Sequence, residues 1–188
     1  MKNSTRNFYV LTGGPGTGKT SLLKLLEEKG IPCIPEVARE IIKDQIIKRG
    51  SALPWADKDA YAQLMWTESL RSYELTKQSY ETEMVFFDRG LLDSIGYMEM
   101  ENIQISQEIQ DYLSTALYKK IFILPPWEEI YVTDAERKQT WQEALETFES
   151  MKNVYEKYGY EVIEVPKLTL AERVQFIEKT YKKGYLKF

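Results

Sequence analysis

The chain of 188 residues contains no histidine and a single cysteine, Cys33. Histidine is the commonest general base of enzymes and the commonest metal ligand, so any acid–base chemistry must depend on carboxylates. A bound metal is then expected to be a hard cation with oxygen ligands. One cysteine excludes an internal disulfide, and Cys33 is most simply a small buried residue in a strand.

Long apolar runs and an excess of positive charge are also missing. No apolar run approaches the roughly 20 residues that cross a bilayer, and residues 1–7 do not form a secretory signal. The net charge of −4 and pI of about 5.2 argue against general binding to nucleic acid. We therefore expect a cytoplasmic protein without a membrane span. The oligomeric state is not predicted.

A phosphate-binding motif is present near the start of the chain. Residues 13–20 fit the Walker A pattern G-x-x-x-x-G-K-[ST] without a mismatch: Gly13, Gly14, Pro15, Gly16, Thr17, Gly18, Lys19 and Thr20. An apolar run, 8–11, precedes the motif, and a helical pattern follows it. The alternative, a Gly/Pro turn with a solvated lysine, does not explain this strand–loop–helix context.

Each residue type of the motif has a physical role in nucleotide binding. Glycines let backbone N–H groups converge on phosphate oxygens at a helix N-terminus, and we expect the loop through Ser21 to bind nucleotide. Lys19 is predicted to reach the β- and γ-phosphates, and the Thr20 hydroxyl to bind Mg²⁺. The expected cofactors are ATP, with GTP not excluded, and Mg²⁺.

Short apolar strands alternate with helices along the whole chain. Strands are predicted at 8–11, 31–34, 84–87, 120–124 and 162–165. This alternation predicts an α/β fold of three layers, a parallel sheet covered on both faces by helices. The helix after the second strand is expected to bury Ile41, Ile42, Ile46 and Ile47. Ligands should lie beyond the carboxyl ends of the strands.

Asp88 follows four apolar residues and fits the Walker B pattern, so it is predicted to hold Mg²⁺ opposite Thr20. The alternative is a carboxylate that only pairs with Arg89. Mechanical ATPases usually place a glutamate directly after this aspartate to activate water. Arg89 in that place suits a transferase, in which it would stabilise phosphate charge or anchor a hydroxyl.

Glu36 and Arg39 lie one helical turn apart at the start of the helix after the second strand. Glu36 is predicted to accept the proton of an attacking hydroxyl, and Arg39 to orient the acceptor. The alternative is a helix-dipole glutamate with an exposed arginine. Asp93 is a further substrate-binding candidate, with a chance D-x-x-G match that no Asn-Lys-x-Asp sequence supports.

Two further segments have functional interpretations. Residues 125–140 are predicted to form a lid that brings Arg137 or Lys138 to the transferring group, against the alternative of an exposed loop. Trp55, Tyr61 and Trp66 are candidates for lining an acceptor pocket. Aromatics at helical spacing are more often part of the core.

Taken together, four strings resemble the NadR-like AAA/P-loop kinase family: Gly13–Thr20, Pro35–Arg39, Phe87–Asp93 and Leu124–Trp127. The family comprises predicted ATPases related to the ribosylnicotinamide kinase domain of NadR and to nucleoside and nucleotide kinases. The resemblance implies a nucleoside-kinase-like fold with strand order 2-3-1-4-5. It spans nearly the whole chain, so we expect residues 1–188 to form one kinase domain, without the adenylyltransferase half of NadR.

The resemblance also implies roles for site residues. Deoxynucleoside kinases carry a glutamate after strand two and an acidic residue followed by Arg after strand three, positions that Glu36 and Asp88-Arg89 match. The chain departs from that pattern at Gly90, where those kinases usually have serine, and in the spacing to Asp93. These departures leave the acceptor open.

Two functional hypotheses follow from these residues. The first is a small-molecule kinase that transfers the γ-phosphoryl group of Mg·ATP to a nucleoside-, nucleotide- or ribosylnicotinamide-like acceptor. Lys19, Glu36, Asp88, Arg89 and Arg137 would be its catalytic residues. The alternative is an NTP-dependent switch or binding protein with slow hydrolysis of ATP or GTP. A motor-type ATPase is disfavoured by Arg89 and by the short chain.

Overall fold

The computed structural model describes residues 4–130 and 140–183. The strands are β1 (Phe8–Gly13), β2 (Cys33–Ile34), β3 (Val85–Asp88), β4 (Lys120–Leu124) and β5 (Val162–Glu164). The helices are α1 (Lys19–Glu28), α2 (Val37–Lys48), α3 (Lys58–Ser79), α4 (Leu91–Met100), α5 (Gln107–Leu113), α6 (Trp141–Lys157) and α7 (Leu170–Lys183), and Glu128–Ile130 form a 3₁₀ turn. Within the described ranges, no helix is both long and apolar enough to cross a membrane.

The five strands form one parallel sheet in the order β2-β3-β1-β4-β5. This arrangement confirms the predicted α/β fold class and the strand order 2-3-1-4-5. Since all strands run in the same direction, the segments that follow β1, β2 and β3 lie at one edge of the sheet. The Walker A residues, Glu36 and Asp88-Arg89 are thereby brought to that edge.

Helices cover the sheet on both faces because successive strand side chains point to opposite sides. In β1, Phe8 and Val10 pack in the larger apolar cluster with residues of α3, α4 and α6. Tyr9 and Leu11 pack on the other face against α1 and α7. The result is three layers, with the central strands β1 and β4 almost completely buried.

The predicted buried stripe of α2 is wrong in its second half. Ile41 is 5% exposed, whereas Ile46 and Ile47 are 57% and 80% exposed. Successive residues turn by about 100°, so Ile41, Ile42, Ile46 and Ile47 spread over roughly 240° of the helix surface. In the described part of the chain, the apolar cluster that α2 shares with α3 contains Ala38 and Ile41, with Ile42 at its margin, and it does not reach Ile46 or Ile47.

Candidate active site

The loop between β1 and α1 has a backbone that only glycine adopts easily. Gly13, Gly16 and Gly18 have φ values of 136°, 77° and 85°, in or near the left-handed region. A Cβ atom at Gly13 would lie 2.6 Å from the carbonyl oxygen of Leu124 in β4. The loop is therefore tightly packed against the neighbouring strand, and α1 begins directly after it at Lys19.

The side chain of Lys19 folds back over this loop. Its Nζ donates to the carbonyl oxygens of Gly13, at 2.7 Å, and Gly14, at 2.8 Å. The residue is only 8% exposed. Burial, together with the nearby Arg89 charge, lowers the pKa of Lys19 to about 7. An anion bound in the loop would offset both effects and favour the charged form.

Asp88, at the end of β3, shares a pocket with Thr20 at the start of α1. Its Oδ1 atom is buried and has no hydrogen-bond partner in the described part of the chain. Burial raises the pKa of Asp88. A buried carboxylate oxygen without a partner, in a pocket that a threonine also lines, fits a Mg²⁺ site that is completed by water and phosphate oxygens. Residues 4–130 and 140–183 contain no cluster of three or more acidic or cysteine ligands that could hold a metal alone.

Arg89 connects two carboxylates beside this pocket. Its Nε donates to Glu36 Oε1 at 2.7 Å, and its Nη1 donates to Asp93 Oδ1 at 3.2 Å. Although burial opposes the charge, Glu36 and Asp93 raise the pKa of Arg89 above its ordinary value. The backbone of Arg89 has φ 66°, in the left-handed region, and such strained residues are common at functional sites. Arg89 is thus a fixed cation next to the Walker A lysine.

Asp93 is 4% exposed, and four internal donors surround its carboxylate. Oδ1 accepts from the Thr12 hydroxyl at 2.5 Å in addition to Arg89. Oδ2 accepts from the Gly90 backbone N–H at 2.8 Å and from the Tyr155 hydroxyl at 2.6 Å. These contacts place Asp93 where it orients Arg89, and its direct contact with an acceptor stays a prediction.

The Tyr155 contact explains why the chain has glycine at position 90. A Cβ atom at Gly90 would lie 2.8 Å from the Tyr155 hydroxyl and 2.9 Å from Cγ2 of Val10. A serine there would collide with the tyrosine that holds Asp93. No local sequence pattern marks the role of Tyr155, because its partner Asp93 is 62 residues away.

Arg173 of α7 is a second residue that the sequence pattern did not identify. It is 5% exposed, and its Nη2 donates to the Thr17 carbonyl oxygen at 3.0 Å. Its Nη1 lies 3.0 Å from where a Cβ atom of Gly18 would be. Its Nε is buried and has no partner among the described residues. Arg173 therefore supports the outer side of the phosphate-binding loop.

The remaining predicted site residues are exposed, buried in the core or outside the described part of the chain. Arg39 is 73% exposed, with its Nε 3.6 Å from Glu36 Oε2. Arg137 and Lys138, and most of the proposed lid 125–140, lie outside the described residues. Trp55 is 66% exposed, while Tyr61 and Trp66 are buried in apolar clusters, as the alternative interpretation of these aromatics expects.

A cleft between α2 and α3 opens next to Arg89. Its inner part is lined by Glu36, Asp88, Arg89 and Asp93 together with Met65, Ser69, Ser72 and Ser94. Its outer part, with a volume of about 370 Å³, shares Glu36 and Ser72 with the inner part. The outer part therefore gives a small molecule access to Glu36.

A protein-family model described as an AAA domain matches residues 8–173. No curated protein matches the chain in sequence. Solved structures with the same fold include NadR in complex with NR, at 18% identity and a TM-score of 0.64 over 96% of this chain and 52% of that one. The chain thus spans about half the length of that protein.

Two further solved structures match over nearly their whole length. Deoxyadenosine kinase from M. mycoides has 16% identity and a TM-score of 0.59 over 94% of this chain and 98% of that one. Shikimate kinase from Acinetobacter baumannii has 15% identity and a TM-score of 0.58 over 97% of both chains. Likeness at these identities shows the fold. The family match and the kinase folds confirm the resemblance to NadR-like P-loop kinases.

Proposed function

The chain belongs to the AAA domain family, and we propose that within it the protein is a small-molecule kinase. It would transfer the γ-phosphoryl group of Mg·ATP to a hydroxyl of a nucleoside-, nucleotide- or ribosylnicotinamide-like acceptor. The observation that carries this proposal is the ion pair of Glu36 and Arg89, which lies at the inner end of a cleft next to Lys19 and Asp88.

The donor would bind in the Walker A loop. Backbone N–H groups of residues 13–21 other than Pro15, together with the N-terminus of α1, would contact the phosphates, and Lys19 would neutralise the β- and γ-phosphates. Thr20 and Asp88 would hold Mg²⁺, whose positive charge would offset the charge that develops during transfer.

The acceptor would lie in the cleft with one hydroxyl facing Glu36. The acceptor oxygen forms a bond to the γ-phosphorus while the bond from that phosphorus to the bridging oxygen breaks, so that ADP leaves. The hydroxyl proton passes to Glu36 Oε. The transition state of phosphoryl transfer is loose, so its stabilisation depends on positioning and electrostatics. Arg89 would supply the positive charge, and Arg39 and Arg137 are further candidates. This chemistry needs no histidine.

We further propose that residues 1–188 act as one kinase domain, with a lid at about 125–140.

The kinase function is tested with a panel of acceptors. The protein is incubated with Mg·ATP or Mg·GTP and with nucleosides, nucleotides, ribosylnicotinamide and other hydroxyl compounds, and mass spectrometry detects a product heavier by one phosphoryl group. We expect one acceptor class to be phosphorylated. Tight ATP binding without any phosphorylated acceptor would instead favour the switch with slow hydrolysis.

A further inference from the structure

The inner part of the cleft between α2 and α3 is a small chamber with a volume of about 30 Å³. One water occupies roughly 10–15 Å³ of such space, so the chamber has room for about two water-sized groups. Glu36 and Arg89 lie on its wall, and three serines line it as well: Ser69, Ser72 and Ser94. The chamber therefore places neutral polar side chains directly beside the proposed general base.

The hydroxyl of Ser94 is the unusual feature of the chamber. Ser94 is 1% exposed, and its Oγ atom forms no hydrogen bond within residues 4–130 and 140–183. Buried hydroxyls are nearly always hydrogen-bonded, because a buried hydroxyl without a partner has lost its bonds to water without replacement. The adjacent Asp93, by contrast, accepts from four internal donors. A molecule in the chamber, water or a ligand, would give Ser94 the partner that its surroundings do not.

The two chamber serines of α3 differ from the other serine and threonine residues of that helix. Thr67, Thr76 and Ser79 donate their hydroxyls to the backbone carbonyl one turn earlier, at 2.8, 2.8 and 2.9 Å. The hydroxyls of Ser69 and Ser72 form no hydrogen bond in the described part of the chain. Residues three apart lie on the same face of a helix, so both hydroxyls are available to one group in the chamber.

The charged side chains of the chamber have other partners or roles. Arg89 pairs with Glu36 and Asp93, and Arg39 also lies near Glu36. Asp88 is the proposed Mg²⁺ ligand. Because a serine hydroxyl both donates and accepts, the three serines can bind an uncharged hydroxyl or an amino group without disturbing these ion pairs.

We propose that Ser94, with Ser69 and Ser72, forms a subsite for one small hydrogen-bonding group of the acceptor, a hydroxyl or amino group other than the hydroxyl that is phosphorylated. The subsite rests on the proposed kinase function, because Glu36 on the same wall receives the reacting hydroxyl. Its size limits the bound group to about one non-hydrogen atom, since the reacting hydroxyl takes the remaining space. Ser94 is then a specificity-determining residue. An acceptor that lacks the group leaves the Ser94 hydroxyl unpaired, and one with a larger group does not fit.

The first test is the stability of Ser94→Ala, which needs no acceptor. Removing a buried hydroxyl that has no protein partner breaks no hydrogen bond within the protein, so the thermal unfolding temperature should stay the same or rise. Tyr73→Phe is the matched control, because it removes a buried hydroxyl that donates to the Leu117 carbonyl, and it should lower this temperature. A fall in Ser94→Ala as large as that in Tyr73→Phe would show an internal partner and overturn the subsite.

The second test compares compounds that differ by one group. Adenosine, cytidine and ribosylnicotinamide are measured against their 2′- and 3′-deoxy and O-methyl forms, by transfer from ATP and by calorimetry with AMP-PNP and Mg²⁺ bound. For the compound that is used best, loss or methylation of one hydroxyl should lower kcat/KM at least about 30-fold. In Ser94→Ala, loss of the same hydroxyl should lower kcat/KM about threefold or less, because its partner is already absent.

Ser79→Ala is the control for the second test. This variant removes a hydroxyl of α3 that is exposed and bonded within its own helix, so it should keep the full preference for the hydroxyl compound. An equal loss of preference in Ser79→Ala and Ser94→Ala would overturn the assignment to the chamber.

The outcomes separate the subsite from the kinase function. Transfer to one of these compounds with the same preference in Ser94→Ala as in the unmodified protein, or with no preference at all, would overturn the subsite and leave the kinase function standing. Hydroxyl-dependent binding that Ser94→Ala abolishes, without transfer to any compound, would support the subsite and overturn the kinase function. No binding of any compound of the series would also overturn the subsite.

Discussion

The donor side and the acceptor side of the site are built in different ways. On the donor side, the Walker A loop is one continuous stretch, Gly13–Thr20, whose conformation depends on glycine backbone angles and on a helix N-terminus. The acceptor side combines Glu36, Arg89, Asp93 and Tyr155, which come from separate segments and meet through side-chain contacts. Local sequence therefore encodes the loop, whereas tertiary packing assembles the side that we propose binds the acceptor.

This difference predicts different responses to mutation. The Walker A loop would bind phosphate mainly through backbone groups, and Lys19 is its main contributing side chain. On the acceptor side, removing one partner leaves another buried charge without its counter-ion. Substitutions on the two sides should therefore separate ATP binding from phosphoryl transfer.

The largest effect on ATP binding is expected from Lys19→Ala. Loss of the charge that faces the β- and γ-phosphates should weaken ATP binding at least about 100-fold, measured by calorimetry. The thermal unfolding temperature without nucleotide should not fall, because burial lowers the pKa of Lys19 and the charged form is itself costly. Lys43→Ala, at an exposed pair with Glu40, is the control that should bind ATP normally. Normal ATP binding and turnover by Lys19→Ala would contradict the assignment of the donor site to the Walker A loop.

A smaller effect, on the acceptor side alone, is expected from Tyr155→Phe. Losing the hydrogen bond to Asp93 should lower kcat about tenfold, since bonds to charged groups contribute about 1.5–3 kcal/mol. ATP affinity should stay within about twofold. Tyr160→Phe, which removes a hydroxyl bonded to the Leu117 backbone, controls for a general loss of core packing. Equal losses of kcat in the two variants would show that Tyr155 has no specific role in positioning Asp93 and Arg89.

On the donor side, Arg173→Gln should weaken ATP binding about three- to tenfold with little change in the acceptor KM. The substitution removes the cation that donates to the Thr17 carbonyl on the outer side of the loop. Arg173→Lys, which keeps the charge, should recover part of the affinity. An unchanged ATP affinity in Arg173→Gln, or a changed acceptor KM alone, would contradict a role in supporting the loop.

The last prediction concerns the chemical reactivity of Cys33, which lines the donor pocket. Burial raises the pKa of the Cys33 thiol to about 12. Iodoacetamide at pH 8 should therefore modify the native protein roughly a thousandfold more slowly than a free thiol, with a tenfold gain per pH unit. Intact-mass spectrometry of native and urea-unfolded protein measures the two rates. A modification rate of the native protein that levels off near pH 9 would contradict the raised pKa of Cys33.

The sequence predicted the fold well because both signals it uses are local. Apolar runs such as Lys120–Leu124 and the Walker A string identify strands and the loop without knowledge of their neighbours. The prediction for α2 was wrong at Ile46 and Ile47 because burial depends on which partner covers the helix.

The sequence predicted part of the candidate site, again from local patterns. Glu36 and Asp88-Arg89 follow strand ends, so the sheet topology alone brings them to one edge. The contacts of Arg173 with Thr17 and of Tyr155 with Asp93 join residues 156 and 62 positions apart. No local pattern marks such pairs, because they arise only when α7 and α6 pack against the sheet.

The most direct test of the proposed mechanism is phosphoryl transfer by Glu36→Gln, measured together with ATP binding. With the preferred acceptor, we expect a loss of kcat of about 10²- to 10⁴-fold, the usual contribution of a general base, and a dissociation constant for ATP within about twofold of the unmodified protein. Equal activity in Glu36→Gln would remove Glu36 from the mechanism, and a parallel loss of ATP binding would contradict the separation of donor and acceptor sides.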